Sequence, residues 1–331
     1  NNSIVTPFEA VTGMYSLPGR HDIDPTAILA PFYFLFFGLM LSDAAYGLIL
    51  TTLCAIILKK YKPEGTTHRM IKMFMFCGLS TFMWGALFGG WFGNFFTVAA
   101  KTFFGKEFVI KPLWFDPLSE PMKLLVVSLI LGAIHLFVGM GVQAYMDIKD
   151  GRPLDALFDI GLWYLLLIGI VLFAFGGKLG AGAVGIGKIM AIIGAVGILL
   201  TGGRKKKGIF GKLTGGLGSL YGITSYLSDV LSYSRLLALG LATGVVAQVF
   251  NTLGSLAGGG IAGSVLLIVV FAFGTVFNIA INALGAFVHS CRLQYVEFFG
   301  KFYTGGGRPF APFERKTKYI KILKEGNDNV K

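Results

Sequence analysis

The sequence predicts an all-α fold: a polytopic membrane helical bundle of about eight transmembrane elements, the last two long and tilted. Three observations carry that reading. Of the 331 residues, 54% are hydrophobic and only 14% are charged, more apolar surface than a soluble domain can hide. Apolar runs of membrane-crossing length recur along the chain, separated by short basic segments of the kind found in cytoplasmic loops. The 47 glycines suit transmembrane helices, where small residues let backbones approach closely.

Taken in order, residues 1–30 are mixed and turn-rich, with Pro7, Pro18-Gly19 and Asp24-Pro25, and form a leading segment. The run 31–58 is apolar except for Ser42-Asp43 near its middle. It reads as one span or as a bent pair of shorter helices around that dipeptide, since irregular backbone at membrane depth requires surrounding protein or water. Further spans lie at about 71–93, 122–146, 156–176 and 185–201, with loop 94–121 forming a small external cap. Two longer runs follow, 219–253 and 261–299, joined by a Gly-rich turn. As unbroken helices each is about 50–60 Å long against a hydrocarbon core of about 30 Å, so each tilts or protrudes. The membrane domain is thus 31–303, and a basic tail occupies 304–331. The distribution of Lys and Arg puts loops 59–70, 147–155, 202–214 and the tail inside, and 94–121, 177–184 and 254–260 outside.

Several function classes are disfavoured. The net charge of +12 comes from basic clusters between apolar runs, which points to membrane lipids and not to nucleic acid. Gly202-Gly203-Arg204-Lys205 lacks the spacing and strand context of a phosphate loop and reads as a contact for anionic lipid. Cys54, Cys77 and Cys291 form no CxxC pair, so neither a disulfide framework nor a zinc site is indicated. With no Ser–His–Asp pattern, HExxH or Walker lysine motif, no catalytic site, cofactor or metal is expected, and any energy is consumed by another subunit. The start at Asn1-Asn2-Ser3, without Met or signal peptide, reads as the carboxy-terminal part of something longer.

The candidate centre is a pair of intramembrane arginines. Arg235 stands in Ser232-Tyr233-Ser234-Arg235-Leu236-Leu237-Ala238-Leu239, and Arg292 in His289-Ser290-Cys291-Arg292-Leu293-Gln294-Tyr295. Each costs at least about 2.5–3.5 kcal/mol in apolar surroundings and stays charged, so each needs a hydrated cavity or a carboxylate. At 100° per residue, Asn278 lies near the Arg292 face, Asn282 about 80° to one side, His289 about 60° to the other, and Glu297 about 140° round. Ser228 and Ser232 lie near the Arg235 face, while Asp229 is about 120° away and is not expected as a tight partner. Two readings stand side by side: the arginines serve ion or substrate movement, or they bond buried carboxylates and merely hold helices together. Asn278, Asn282, Asp229 and Glu297 line water or make interhelical bonds, and His289 bonds a neighbouring helix or joins a proton path. Asp43, Asp159 and His135 read as structural or interfacial.

The stretch from Ser232 to Ala242 resembles the penultimate helix of the a subunit, or subunit I, of V-type and archaeal-type rotary ATPases. Phe287-Val288-His289-Ser290-Cys291-Arg292-Leu293-Gln294-Tyr295-Val296-Glu297-Phe298-Phe299-Gly300-Lys301-Phe302-Tyr303 resembles the last helix of that family, and Gly305-Gly306-Gly307-Arg308-Pro309-Phe310-Ala311-Pro312-Phe313 the tail after it. Phe37-Gly38-Leu39-Met40-Leu41-Ser42-Asp43-Ala44-Ala45-Tyr46-Gly47 resembles its first membrane segment. The resemblance implies an essential arginine at Arg235 and its companion at Arg292. It also implies a preceding cytoplasmic domain, which places residue 1 inside and favours eight elements. Where eukaryotic members carry a glutamate ten residues before the companion arginine, this chain has Asn282, and Glu297 supplies a carboxylate on the other side. The expectation is a multi-pass stator subunit whose half-channels pass H⁺ or Na⁺ against a rotating proteolipid ring, alongside other stator and central-stalk subunits, in the cell membrane if the source is prokaryotic. The expected ion-translocation residues are Arg235, Arg292, Glu297, His289, Asn282, Asn278, Asp229 and Ser232. The rival is a secondary transporter gripping an anionic substrate through both arginines, with a structural scaffold third.

Overall fold

A break at Ser42 and Asp43 sets the course of the amino-terminal half. The computed structural model describes residues 1–19, 22–105, 108–178, 181–204, 209–256, 258 and 260–308, so most of the expected basic tail lies outside the described residues. After a short helix α1 (Glu9–Tyr15) come α2 (Thr26–Leu41), α3 (Ala44–Tyr61) and α4 (Gly65–Phe88). Ser42 ends α2 in the left-handed region at φ 35°. Asp43 then caps α3: its Oδ1 accepts the N–H groups of Ala45 at 3.0 Å and Tyr46 at 3.2 Å, satisfying donors that a helix start leaves open. The same carboxylate accepts Phe92 N–H at 3.2 Å and Gly93 N–H at 3.0 Å, pinning the end of α4's exit loop to the turn.

The run 31–58 is therefore a bent pair. α2 lies along α4, with Phe37 against Phe74 at 6.0 Å and Gly38 against Ser80. α3 returns along the same helix, with Gly47 seated between Gly78 and Phe82. A Cβ on Gly47 would stand 2.7 Å from the Gly78 carbonyl and 2.8 Å from Phe82 Cα, both backbone atoms that cannot step aside. Packing, not a hydrophobic drive, holds such helices together in lipid, so this close approach matters.

Next come α5 (Phe95–Phe104), within the expected cap, then α6 (Pro121–Lys149) and α7 (Pro153–Phe175). They are followed by α8 (Ala181–Thr201), α9 (Thr214–Ser255) and α10 (Ile261–Phe302). Trp114 and Phe115 of the cap fold back onto Phe88. α7 and α8 pair through Gly169, Gly187 and Gly194, each backed onto the other helix's backbone. Long apolar residues such as Ile189, Ile193, Val269 and Phe273 are exposed, as they must be to meet acyl chains. The chain is an integral, multi-pass membrane protein.

Two expectations are corrected. Among the described residues seven helices, not eight, are long and apolar enough to cross a membrane: α3, α4 and α6 to α10. The remaining element, α2, has 16 residues, about 24 Å, short of a hydrocarbon core of about 30 Å. Nor are the last two helices unbroken, although at 42 residues apiece they reach about 60 Å. α9 is interrupted at Gly222 and again at Tyr233, where the bonds Tyr233 N–H to Val230 and Leu236 N–H to Tyr233 tighten to three-residue steps. α10 widens into a π-helical turn at Leu293–Phe298. The break at Tyr233 lies two residues before Arg235, and the π turn begins directly after Arg292.

The leading segment is tied to the far end of α10. Tyr295 Oη donates to Val11 O at 2.6 Å, Tyr303 Oη donates to Ser16 O at 2.8 Å, and Asp22 accepts from Gly305 N–H at 2.8 Å. Replacing Gly47 by Val should force α3 off α4. Overpacking of this kind costs about 1–3 kcal/mol, so the thermal unfolding midpoint in detergent should fall by several degrees. An unchanged midpoint would contradict the backbone contact.

Candidate functional site

The antiparallel register of α9 and α10 assembles the site. It is set by glycines: a Cβ on Gly274 would lie 2.6 Å from Phe250, and one on Gly254 would lie 2.9 Å from Leu267. Nearer the other end Leu239 covers Gly285. Arg235 stands one turn beyond Leu239 on α9, and the carboxylate it meets is Glu297, twelve residues beyond Gly285 on α10. Arg235 Nη1 donates to Glu297 Oε1 at 3.4 Å. The Glu297 side chain is 3% exposed and that of Arg235 is 26% exposed, so the carboxylate is interior and the guanidinium reaches the surface. The π turn also changes the phase of α10 beyond Arg292, so a uniform 100° count misplaces Glu297 on its own helix, and no count on one helix shows a partner on another.

The other expected residues fall into three places. Asp229 takes a close ion pair from Lys301 on α10, and Lys301 Nζ also sits 4.3 Å above the Tyr226 ring. Ser232 turns inward on its own helix, donating to Ser228 O at 3.1 Å, while half-buried His289 lies within electrostatic reach of both Arg235 and Arg292. Arg292 itself is exposed and has no ion pair with another described residue. Asn278 and Asn282 form a separate buried ladder. Asn278 Nδ2 donates to Tyr46 Oη at 2.9 Å and to Thr243 O at 3.1 Å, and Asn282 Nδ2 donates to Asn278 O at 3.1 Å. These are interhelical ties between α3, α9 and α10, and Asn282 lies about 15 Å along α10 from Arg292. Asp43 is the cap described above, and Asp159 pairs with Arg204 at 2.8 Å.

Lys301, Tyr226, Tyr233 and Gln294 are missing from the residues singled out by sequence. Only Lys301 carries a readable signal, standing four residues beyond Glu297. The others matter through partners on different helices.

Two cavities with polar side chains in their walls lie to either side of the arginine along α9. One, of about 220 Å³, is lined by Ser42, Asp43, Asn94, Asp116, Gly244 and Gln248, beside the α2–α3 turn and the cap. The other, of about 480 Å³, is lined by Asp147, Asp155, Asp159, Tyr226, Lys301 and Thr304. Along α9, Tyr226 and Gly244 each stand nine residues from Arg235, about 13 Å in opposite directions. Arg204, expected at lipid headgroups, instead braces the second cavity's wall through Asp155 at 2.5 Å. Among the described residues no group of three or more His, Cys, Asp or Glu side chains is placed to hold a metal ion.

Comparison with known proteins bears on this geometry. The model of the V-type ATPase 116kDa subunit family matches residues 223–315, a segment that encloses both arginines, Glu297, Asp229 and Lys301. A-type ATP synthase subunit I of Methanocaldococcus jannaschii is 35% identical over 96% of this chain and 49% of that protein. The Thermococcus kodakarensis A-type ATP synthase subunit I is 37% identical over 96% of this chain and 47% of its own length. This chain is a homologue of subunit I. V-type ATP synthase subunit I of Chlamydia trachomatis is a more distant relative, 23% identical over 93% of the chain. The chain spans about half the length of the subunit I proteins it matches.

In this subunit I homologue the Asp229–Lys301 pair is shielded, with side chains 20% and 16% exposed. A double-mutant cycle with Asp229→Asn and Lys301→Met, read by thermal unfolding, should give a coupling of about 1–3 kcal/mol. Additive effects would show that the two side chains do not depend on one another.

Proposed function

We propose that this chain forms the stator membrane domain of a rotary V/A-type ATPase, with Arg235 facing the carboxylates of a rotating proteolipid ring and two half-channels on either side of it. The observation that carries this reading is Arg235's position, partly exposed and midway along α9 between two cavities with polar side chains in their walls. The names of the relatives, A-type and V-type ATP synthase subunit I, support the same assignment.

The mechanism follows from charge. An opposite charge within about 4–6 Å lowers a carboxylate's pKa, so a ring carboxylate arriving at Arg235 releases its ion there. It reloads on leaving, from the cavity on the other side. The smaller cavity borders loop 94–121, expected outside, and the larger one borders 147–155, expected inside. Glu297 anchors the guanidinium from behind without neutralising its exposed edge. The charge is permanent, so it repels cations and prevents a direct leak between the cavities. The ion is H⁺ or Na⁺, because the carboxylate that selects it belongs to the ring.

In this reading residues 1–30 follow a cytoplasmic domain of a longer protein, 31–303 form the translocating domain and 304–331 a cytoplasmic tail. The partners are the ring, the other stator and central-stalk subunits, and lipid. Asp229, Ser232 and His289 flank the transfer point, Arg292 adds an exposed positive charge to the ring-facing surface, and Asn278 and Asn282 hold that surface in register. An anion transporter requires both arginines to converge on one ligand, whereas Arg235 is held by Glu297 and Arg292 points outward.

In vesicles carrying the assembled complex with Arg235→Gln, ATP-driven ion uptake should fall to background while the complex remains intact. Uptake close to the unsubstituted level would overturn the role given to Arg235.

A further inference from the structure

The cap helix α5 (Phe95–Phe104) carries an apolar stripe that no described residue covers. None of its ten residues is buried, and Phe96, Phe103 and Phe104 are exposed, Phe104 at 77%. At 100° per residue Phe103 falls about 20° from Phe96 and Phe104 about 80° to one side, so the three rings share one broad face. Phe104 lies about 180° from Phe95, the residue that seats the helix on its neighbour. The exposed apolar surface continues past the helix through Phe108, Leu113 and Trp114. A helix this short is marginal in water on propensity alone, so its form depends on what its faces meet.

The height of α5 shows what that is. Asn251 of α9 donates from Nδ2 to Phe92 O at 2.9 Å and to Asn94 Oδ1 at 3.1 Å, fixing the residue before the helix. Phe95 then stacks on Phe271 of α10, with ring centroids 3.7 Å apart and planes 22° apart. Phe271 lies ten residues inside the outer end of α10 at Ile261, about 15 Å along the helix. Over that stretch Val265, Ile268 and Val269 are exposed, and on α9 so are Leu253 and Leu256, beyond Asn251. An apolar surround that covers these residues extends outward past the level at which α5 is seated. α4 gives the same height. Its 24 residues span about 36 Å from the inside loop, enough to cross a hydrocarbon core of about 30 Å, and end at Phe88, seven residues before α5.

The stripe is therefore continuous with the lipid-facing surface, and its chemistry fits the edge of the bilayer. Aromatic rings gather at that boundary, and an amphipathic helix lies in its plane with the apolar face down. Lys101 is the one charged residue in α5, and Lys111 follows it; both are exposed. A lysine stem covers apolar surface while its ammonium reaches the phosphates of the headgroups. We propose that α5 and residues 108–114 form an interfacial anchor in the outer leaflet, with Phe96, Phe103 and Phe104 among the upper acyl chains and Lys101 at the phosphate level. The expected external cap is in this way partly immersed. Asn94, Phe96 and Thr97 also line the smaller cavity, so a helix held by lipid fixes one of that cavity's walls. The part of that wall in ion passage rests on the reading given above, whereas the lipid contact does not.

The test is spin-label accessibility in the assembled complex in lipid vesicles, with Cys54, Cys77 and Cys291 replaced. Labels are placed one at a time at Phe103→Cys, Phe104→Cys and Leu113→Cys, with exposed Thr304→Cys as the aqueous reference. The three cap labels should collide with oxygen several-fold more often than with a water-soluble nickel chelate, the reverse of the reference, at a depth of about 5–10 Å below the phosphates. Frequent collision with the chelate would show a cap standing in water, and protection from both reagents would show a protein partner or a second copy on the stripe; either would overturn the proposal. A second measurement needs no substitution. A phospholipid with a photoreactive group near the top of its acyl chain, added to the unsubstituted complex, should crosslink to peptides from 95–114 as well as to the outer end of α10. Crosslinks on α10 with none on 95–114 would overturn the proposal even if the cysteine variants fail to assemble.

Discussion

A permanent positive charge inside an apolar bundle has to be held, and the contact between Arg235 and Glu297 is what holds it. A guanidinium cannot shed its proton to escape the cost of burial. Placed on the surface of α9 without an anchor, it would extend toward the nearest headgroups. The carboxylate on the neighbouring helix fixes its position while leaving an edge open to the bilayer side. Breaking such a pair by removing one partner leaves the other buried and uncompensated, so the two helices that carry them must stay in one register. Much of the surrounding architecture serves that register.

Glycines set it first. Gly254, Gly274 and Gly285 let α9 and α10 approach along their whole shared length, and the buried ladder from Tyr46 through Asn278 to Thr243 ties both to α3. Asp229 and Lys301 fasten the opposite end. Regular helices alone would not complete the arrangement. The tightened turn at Tyr233 and the widened turn after Arg292 adjust the two helices locally, so that two side chains from different elements meet. Irregular backbone of this kind recurs at functional sites, and here it lies where α6 supplies His135 as a packing and hydrogen-bonding partner.

The fold was legible in the sequence wherever apolar length or a polar interruption carried the signal. The spans α4, α6, α7 and α8 follow from their runs of Leu, Ile, Val and Phe, and the break after α2 follows from one polar dipeptide in an otherwise apolar stretch. The shortness of α2 was not legible, because its end is decided by the Asp43 cap and the loop donors of Phe92 and Gly93, fifty residues away. For the site, the arginines announced themselves as charges in apolar surroundings. Their partners did not. A helical wheel orders residues on one helix, but Glu297 meets Arg235, and Lys301 meets Asp229, across two. Asn278 and Asn282 looked alike as water-lining or helix-tying groups until Tyr46 was found opposite. His135 read as structural for a sound reason, a lone histidine on an apolar helix, and its partner Tyr233 lies on a different helix, out of reach of any single-helix count.

The central claim is that Arg235 separates two aqueous cavities that open to opposite faces of the membrane. It is tested most directly by thiol accessibility in the assembled complex, with Cys54, Cys77 and Cys291 replaced and one new cysteine introduced at a time. Gln248→Cys lines the smaller cavity and Thr304→Cys the larger. A membrane-impermeant thiol reagent should label the first from one face of sealed vesicles only and the second from the other face only. Labelling of both from the same face would contradict the account.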